Sequence, residues 1–483
     1  MSTRLAVAVV GAGASGTLAA AQLAKAATAS GVTLDVALID PRPAGQGLAY
    51  STSDPRHRLN VMAKGMSAWP DDPGHFVRWL RRHVDADFPE TGYAPRPLYA
   101  RYLGAVLEHA VEDSPRVRLD RVSARAIGLR RQESALLLDL DDGTSRLVDG
   151  GVLALGHGQP STAWAPDALC ASPLFVADPW SADHSQDRTA SDQSAAGARL
   201  RRGDEVVLVG AGLTAVDMAL RWGSEGVRVH VVSRHGMVPL PHASSVSAPP
   251  PTAAGHIGAA PATLAGLRRL VFQAIRDADG DWRRAVDGLR PVTARLWREL
   301  DTQERQAFVA TAARRWDRVR HRIDPSMSTW LRQRLADGSL VVHAATVADA
   351  HPTGARLQVV LSDGARIDAA AVINCTGAGG GVSDRDDPLV AGLLACGLAR
   401  PGPLDLGFAT DAAGRLLPGR GPDATTASSG TRGVSAPLWT LGPLRRGELW
   451  ESTAVPEIRE QAAELAGEII ADLGAGVARH VGK

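Results

Sequence analysis

The sequence predicts an α/β fold built on two Rossmann-like, dinucleotide-binding domains. Three Gly-rich turns carry that prediction, each placed directly after an apolar strand. They are Gly11-Ala12-Gly13-Ala14-Ser15-Gly16, Gly210-Ala211-Gly212-Leu213-Thr214-Ala215, and Asn374-Cys375-Thr376-Gly377 with its glycine run. A strand that turns sharply into a helix through small residues brings backbone N–H groups and a helix N-terminus up to a pyrophosphate. One such turn is weak evidence. Two of them, about two hundred residues apart, point to a chain that holds two dinucleotides, and the natural pairing passes electrons from a nicotinamide to a flavin.

The first unit is the more complete. Leu5 to Val10 is a continuous apolar run, as a strand buried on both faces of a parallel sheet requires. Ala14 to Ala27 is Ala-rich and reads as a helix. Val32 to Ile39 reads as the second strand and ends at Asp40, followed by Pro41 and Arg42. An acid a little over twenty residues past the glycines can accept hydrogen bonds from both ribose hydroxyls. The alternative is a tight strand–helix turn with no ligand.

The second unit differs in chemistry. Val206 to Val209 is the strand, and Ala215 stands where the third glycine would be, which predicts a wider helix–strand contact. The next strand, Val227 to Val232, ends in Ser233-Arg234-His235 and not in an acid. A carboxylate there would repel a 2′-phosphate, whereas a hydroxyl, a guanidinium and an imidazole would bind one. The site therefore reads as NADPH-selective, with a solvated surface Arg234 as the alternative.

At 483 residues the chain has room for two or three domains, and a net charge of +1 gives no electrostatic case for nucleic acid or an anionic membrane. No apolar stretch reaches membrane-spanning length, and the first nucleotide unit accounts for the apolar N-terminal run, so a signal peptide is not expected. Three well-separated cysteines, Cys170, Cys375 and Cys396, offer neither a C-x-x-C redox pair nor zinc-ligand spacing. That argues against a disulfide reductase and predicts a reducing, cytoplasmic setting.

Composition also marks joints. Residues 181–202 read as a linker, and 242–262 and 418–433 as Pro-, Gly- and Ser-rich loops. Between them, residues 263–337 form a helical cassette with Leu264, Leu267, Val271, Ala274 and Ile275 on one stripe and an Asp301/Glu304 capping box. It holds Trp282, Trp297, Trp316 and Trp330, and crowds Arg314, Arg315, Arg318, Arg320, His321 and Arg322 into one segment. The expected reading is a packed helical subdomain with a solvated basic face; the alternative is a substrate-facing lid. Beyond the two nucleotide units there is no tandem repeat.

Two further stretches carry a family likeness. One runs from Gly45-Gln46-Gly47-Leu48-Ala49-Tyr50 through His57-Arg58-Leu59-Asn60-Val61 and Met66-Ser67-Ala68-Trp69-Pro70 to Pro95-Arg96-Pro97-Leu98-Tyr99-Ala100-Arg101. The other comprises Leu441-Gly442-Pro443-Leu444-Arg445-Arg446-Gly447 and Glu451-Ser452-Thr453-Ala454-Val455-Pro456. Together these resemble the bacterial FAD/NAD(P)-binding proteins of the NAD-binding-9 type, related to the class B flavin monooxygenases and the lysine and ornithine N-hydroxylases. The resemblance implies an FAD domain built from residues 1–180 and 346–483, with the NADPH domain, 203–345, inserted between them. The strand Ala370–Ile373 is expected to return the chain to the first sheet, with Thr376 and Gly377 passing the cofactor. FAD is then expected at Gly11, Gly13, Ala14, Ser15, Gly16, Asp40, Pro41, Arg42, Gly47, Leu48, Met66, Arg101 and Val122. Gly442, Pro443, Thr453 and Ala454 are expected from the far end, with the helix from Val455-Pro456 aiming its positive end at the flavin. NADPH is expected at Gly210, Gly212, Leu213, Thr214, Ala215, Ser233, Arg234 and His235. Asn60 and Ser67 suit the flavin edge or the substrate, and Lys64 a substrate anion; these three are the candidate catalytic residues.

What the resemblance implies for chemistry is hydride transfer from NADPH to flavin N5, addition of O2 as a C4a-(hydro)peroxyflavin, and oxygen transfer to a small-molecule nucleophile. The histidine-and-tryptophan signature of Baeyer–Villiger enzymes is not placed, which favours amine nitrogen or sulfur over a ketone. A reductase that passes electrons from NAD(P)H through FAD to another acceptor shares every motif, as does a flavin-bound redox sensor. Self-association is left open.

Overall fold

A computed structural model describes residues 4–180, 200–243, 263–419 and 436–481. The expected linker at 181–202 and the loops at 242–262 and 418–433 lie mostly outside the described residues. Two five-stranded sheets dominate, and every pairing within them is parallel. The first has the order β16-β7-β1-β2-β3, from β1 (Arg4–Val10), β2 (Thr33–Ile39), β3 (Val117–Val122), β7 (Gly150–Leu153) and β16 (Leu438–Thr440). The second has the order β11-β10-β9-β15-β8, from β8 (Phe175–Val176), β9 (Glu205–Val209), β10 (Arg228–Ser233), β11 (Leu340–Ala344) and β15 (Ala371–Asn374). Each sheet carries a small antiparallel meander, β4 to β6 (Ala126–Gln132, Ala135–Leu140, Ser145–Val148) beside the first and β12 to β14 (Val347–Thr353, Arg356–Leu361, Arg366–Ala369) beside the second.

The two units thus repeat one plan: strand, Gly-rich turn, helix, strand, a third strand after a crossover, a meander, and a strand that returns beside the first. That plan corrects one expectation. Ala371–Asn374 does not rejoin the first sheet; it pairs with β9 and β8 and is the second unit's counterpart of β7. The chain rejoins the first sheet only at Leu438–Thr440, beside β7. The second sheet accordingly runs from Phe175 to Asn374, beyond 203–345 on both sides. An apolar four-residue strand fits the core of either sheet equally well, so composition alone does not choose between them.

The first core sets the helix Ala14–Ala29 between its sheet and the helices Arg96–Glu112 and Val455–Val481. Ala19, Ala21, Ala24 and Ala27 are fully buried, which lets three helices approach closely. The helix His75–His83 begins two residues after Pro73 and buries Phe76 and Leu80 against Tyr99 and Tyr102. The cassette fills the crossover from β10 to β11 with six helices between Leu264 and Ala336. Half of the Asp301/Glu304 capping box forms: Asp301 accepts from the Glu304 N–H at 2.8 Å. The other half is diverted, since the Glu304 carboxylate accepts from the Leu264 N–H and caps a different helix. No helix among the described residues is long and apolar enough to cross a membrane.

Candidate functional site

At the first turn, Gly13 and Gly47 lie backbone to backbone: a Cβ on Gly13 would stand 3.2 Å from the Gly47 Cα. Gly16 is pressed so closely on the turn that a Cβ would meet the Gly11 carbonyl oxygen at 1.7 Å. The helix beginning at Ala14 therefore starts immediately against the strand end, with its first N–H groups at the turn. Asp40 closes the site from β2: its carboxylate accepts from the Ala12 N–H at 2.9 Å and the Arg42 N–H at 2.8 Å. Val122 stands next to it, its carbonyl accepting from the Asp40 N–H. Gly442 arrives from the far end of the chain: a Cβ there would lie 2.7 Å from Ser15 Oγ, and its N–H donates to Gln461. Gly11, Gly13, Ala14, Ser15, Gly16, Asp40, Pro41, Arg42, Gly47, Val122, Gly442 and Pro443 thus share one neighbourhood. A glycine-on-glycine cradle at a helix N-terminus with an acid at the next strand end fits a dinucleotide.

The second turn opens into a cavity of about 760 Å³, within the usual range of small-molecule and cofactor sites. Gly210, Gly212, Leu213, Thr214, Ser233, Arg234 and His235 line it. Arg234 and His235 are exposed on its wall, and Ser233 Oγ is buried with no protein partner, a hydroxyl free for a ligand. Ala215 is buried behind the turn, in the core. Thr376 and Gly377 line this same cavity. They were expected beside the first nucleotide, and they moved with β15. Thr453 lines it too, with Ala454 next in the chain. Donors and cations around a Gly-turn helix fit a phosphorylated nicotinamide nucleotide.

The remaining expected residues stand apart from the cavity wall. Leu48 packs on the second unit's core. Met66 is buried in the first core, and Arg101 is exposed over the Trp79 ring. Ser67 is fully buried and its hydroxyl is committed to the local turn, donating to the Asp72 carbonyl at 2.6 Å and accepting from the Trp69 N–H. Lys64 is exposed on a single 3-10 turn. Asn60 contributes its carbonyl to His242 at 2.9 Å.

The cassette overturns the expectation of a solvated basic face. Arg320 and Arg322 are only 7% and 3% exposed. Arg314, Asp317, Arg318 and His321 line the cavity. Arg314 donates to the carbonyls of Ala211, in the turn, and Met237, and Arg318 to that of Val238, past the end of β10. The cassette also grips the C-terminal segment. Arg290 forks onto Glu457, Arg320 faces Glu451 and Glu457, and the Trp316 and Trp297 indoles donate to Glu451 and to the Gly447 carbonyl. Sequence reasoning missed Arg446, Trp450, Glu451 and His157 on the cavity wall. Loss of solvation first, then the charges of Arg446, Arg385 and His321, hold the His157 imidazole down to about 4. Burial likewise pushes the His321 imidazole down and the Asp317 carboxyl up.

Residues 8–158 match the NAD-binding-9 family model, described as FAD-NAD(P)-binding. No curated protein matches the chain. Among solved structures it is similar to ornithine hydroxylase from Pseudomonas aeruginosa, at 15% identity over 98% of this chain and 100% of that one, with a TM-score of 0.61. It is also similar to the cadaverine monooxygenase of desferrioxamine biosynthesis from Erwinia amylovora, at 10% identity over 97% and 95%, TM-score 0.61. Thioredoxin reductase from Lactococcus lactis follows at 10% identity over 98% and 99%, TM-score 0.52. At such identities the likeness is one of fold. The matched segment is thus FAD-NAD(P)-binding by its model's description, and the chain as a whole shares the fold of these structures.

Proposed function

We propose that the chain is an NADPH-dependent FAD monooxygenase that transfers oxygen from O2 to a small-molecule nucleophile, an amine nitrogen or a sulfur. One observation carries the reading. A single stretch touches both nucleotide sites: Gly442 abuts Ser15 at the first turn, and Arg446, Trp450 and Thr453 wall the cavity of the second. Two redox cofactors held this way can meet.

When bound, FAD supplies the redox chemistry, taking two electrons from the nicotinamide and passing them to O2. The chain does the rest. The N–H groups of Gly13, Ala14 and Ser15 hold the FAD pyrophosphate and Asp40 its ribose. Ser233, Arg234 and His235 select the 2′-phosphate, and Arg314 and Arg318 add positive charge over the second turn. His157, kept neutral at pH 7 by burial and the cations around it, can accept a hydrogen bond on the cavity wall. The cassette supplies one wall of the cavity, through Arg314, Asp317, Arg318 and His321.

The test is to supply the FAD-loaded protein with NADPH and ¹⁸O2 across a set of primary amines and thiols. One ¹⁸O atom in a product, formed in step with NADPH consumption, supports the reading. Hydrogen peroxide alone with every compound overturns it in favour of a reductase or an oxidase.

A further inference from the structure

One loop of the first unit reaches from its nucleotide turn to the nucleotide helix of the second. At its start Gly47 lies on Gly13, backbone to backbone. The next residue, Leu48, packs on the core that contains the second unit's helix Leu213–Gly223. That helix begins directly after Gly212, so its N-terminus is the second turn. Further along the loop, the Arg56 guanidinium donates to the Arg221 carbonyl, close to the helix end, and His57 meets the helix in its middle. The same short stretch therefore touches the first Gly turn and the helix that springs from the second.

The middle contact is made of buried polar groups. His57 is fully buried; its Nε2 lies 3.2 Å from the Asp217 backbone carbonyl and its Nδ1 2.8 Å from Thr52 Oγ1. A carbonyl can only accept, so Nε2 carries the hydrogen. The Arg96 N–H donates to the His57 carbonyl, and the Arg96 guanidinium lies 2.8 Å from the Asp217 carboxylate. The Asp217 side chain is 1% exposed and that of Arg96 12%. Burial pushes the Asp217 carboxyl up, against the pull of Arg96 and His57. A buried ion pair returns little net stability, because desolvation consumes most of its Coulomb energy; its best-attested use is to fix one arrangement of packed elements over another. Here those elements are the loop of the first unit and the nucleotide helix of the second.

We infer that Arg96 and Asp217 are positioning residues that couple the two nucleotide sites, so that a nucleotide bound at one turn strengthens binding at the other. Coupling of this kind requires only FAD at the first turn and a nicotinamide nucleotide at the second, and holds whichever acceptor the flavin reduces. Two states are involved. In the docked one, the loop lies on Gly13 and holds the helix through His57, Arg96 and Arg56; in the released one, loop and helix lose each other. FAD at the first turn restrains Gly47, and the nicotinamide nucleotide restrains the N-terminus of the helix. Each favours the docked state, so the second to bind meets a protein already ordered. The effect is reciprocal, and couplings between sites commonly amount to about 5- to 150-fold in affinity.

The experiment dilutes the FAD-loaded protein serially, with and without saturating NADP⁺, and follows FAD release at equilibrium by flavin fluorescence. Calorimetry on the same protein reads NADP⁺ binding. NADP⁺ is expected to lower the FAD dissociation constant at least about fivefold, and to slow hydrogen exchange in residues 47–60 as well as in 213–223. Asp217→Asn keeps the shape and removes the charge; it should cut the factor below about twofold while FAD affinity without NADP⁺ stays within about twofold of native. Arg96→Lys should keep part of the factor. Arg56 is 39% exposed at its contact, so Arg56→Gln, which should lower the factor too, decides the matter if Asp217→Asn fails to fold. Two results overturn the coupling: NADP⁺ binds and leaves FAD affinity unchanged, or the factor survives in these variants. Either would leave the oxygen-transfer reading standing, and peroxide alone in the ¹⁸O2 test would leave the coupling standing. Failure of NADP⁺ to bind would sink both.

Discussion

Replacing Gly210 and Gly212 separately by alanine tests whether the second turn is built for packing at one glycine and for a ligand at the other. At Gly210 the backbone has φ +112°, and an added Cβ would stand 2.3 Å from the Cys375 carbonyl oxygen and 2.9 Å from the Thr376 nitrogen. These are backbone atoms at the end of a central strand and cannot step aside. Overpacking costs about 1–3 kcal/mol and the disallowed dihedral about 1–2 more, so Gly210→Ala should lose about 2–5 kcal/mol of stability. At Gly212 φ is −87°, which alanine adopts freely, and no heavy atom lies within 4 Å of the added methyl. The smaller unfolded-state entropy and the weaker N-cap nearly cancel, leaving stability within about 0.5 kcal/mol. The methyl, however, enters the cavity where backbone N–H groups would approach a pyrophosphate. Losing one or two charge-assisted hydrogen bonds, each about 1.5–3 kcal/mol, weakens NADPH binding by at least about tenfold. Urea unfolding and NADPH titration of both variants decide the matter. The reasoning fails if Gly212→Ala unfolds as easily as Gly210→Ala, or if it binds NADPH like the native protein.

Arg234→Ala should raise the NADPH Michaelis constant by about ten- to a hundredfold and the NADH constant little, as loss of a phosphate fork implies; equal changes would return Arg234 to the surface. Glu457→Gln leaves the Arg290 and Arg320 guanidinium groups facing each other without their shared carboxylate, a loss of about 3 kcal/mol or more in unfolding measurements; a native-like midpoint would show the cluster to be idle. His157 and His242 are both held down to about 4 by burial, so the unfolded chain binds more protons than the folded one between there and the ordinary histidine value near 6.5. Stability should therefore be fully retained above that value and fall as pH drops through the window. His242→Gln should flatten part of the slope, and an unchanged pH profile would refute the assignment.

Local signals made the nucleotide units legible. A strand, a Gly turn, an Ala-rich helix and an acid at a fixed distance are consequences of backbone packing within some forty residues, and Gly11 to Asp40 contains all of them. Ala371–Asn374 was not legible in the same way, because the choice of sheet depends on which distant strand offers a free edge. Thr376 and Gly377 go with that strand and line the cavity of the second turn.

The cassette failed for a different reason, and the reason bears on function. Six basic residues in one stretch read as solvated, since burying an unpaired guanidinium costs more than any local packing returns. Arg320 is inside because Glu451 and Glu457, more than a hundred residues later, come to meet it, and Arg322 because Asp287 does. Two tryptophans of the same cassette reach the same segment through their indole N–H groups. The inserted helices thus clamp the C-terminal stretch that runs from the first Gly turn to the cavity of the second. In this arrangement the inserted helices form one wall of the cavity, beside the Gly turn of the second unit. Loosening the clamp at Glu457 should therefore disturb the Arg446 side of the cavity while leaving FAD retention at the first turn intact.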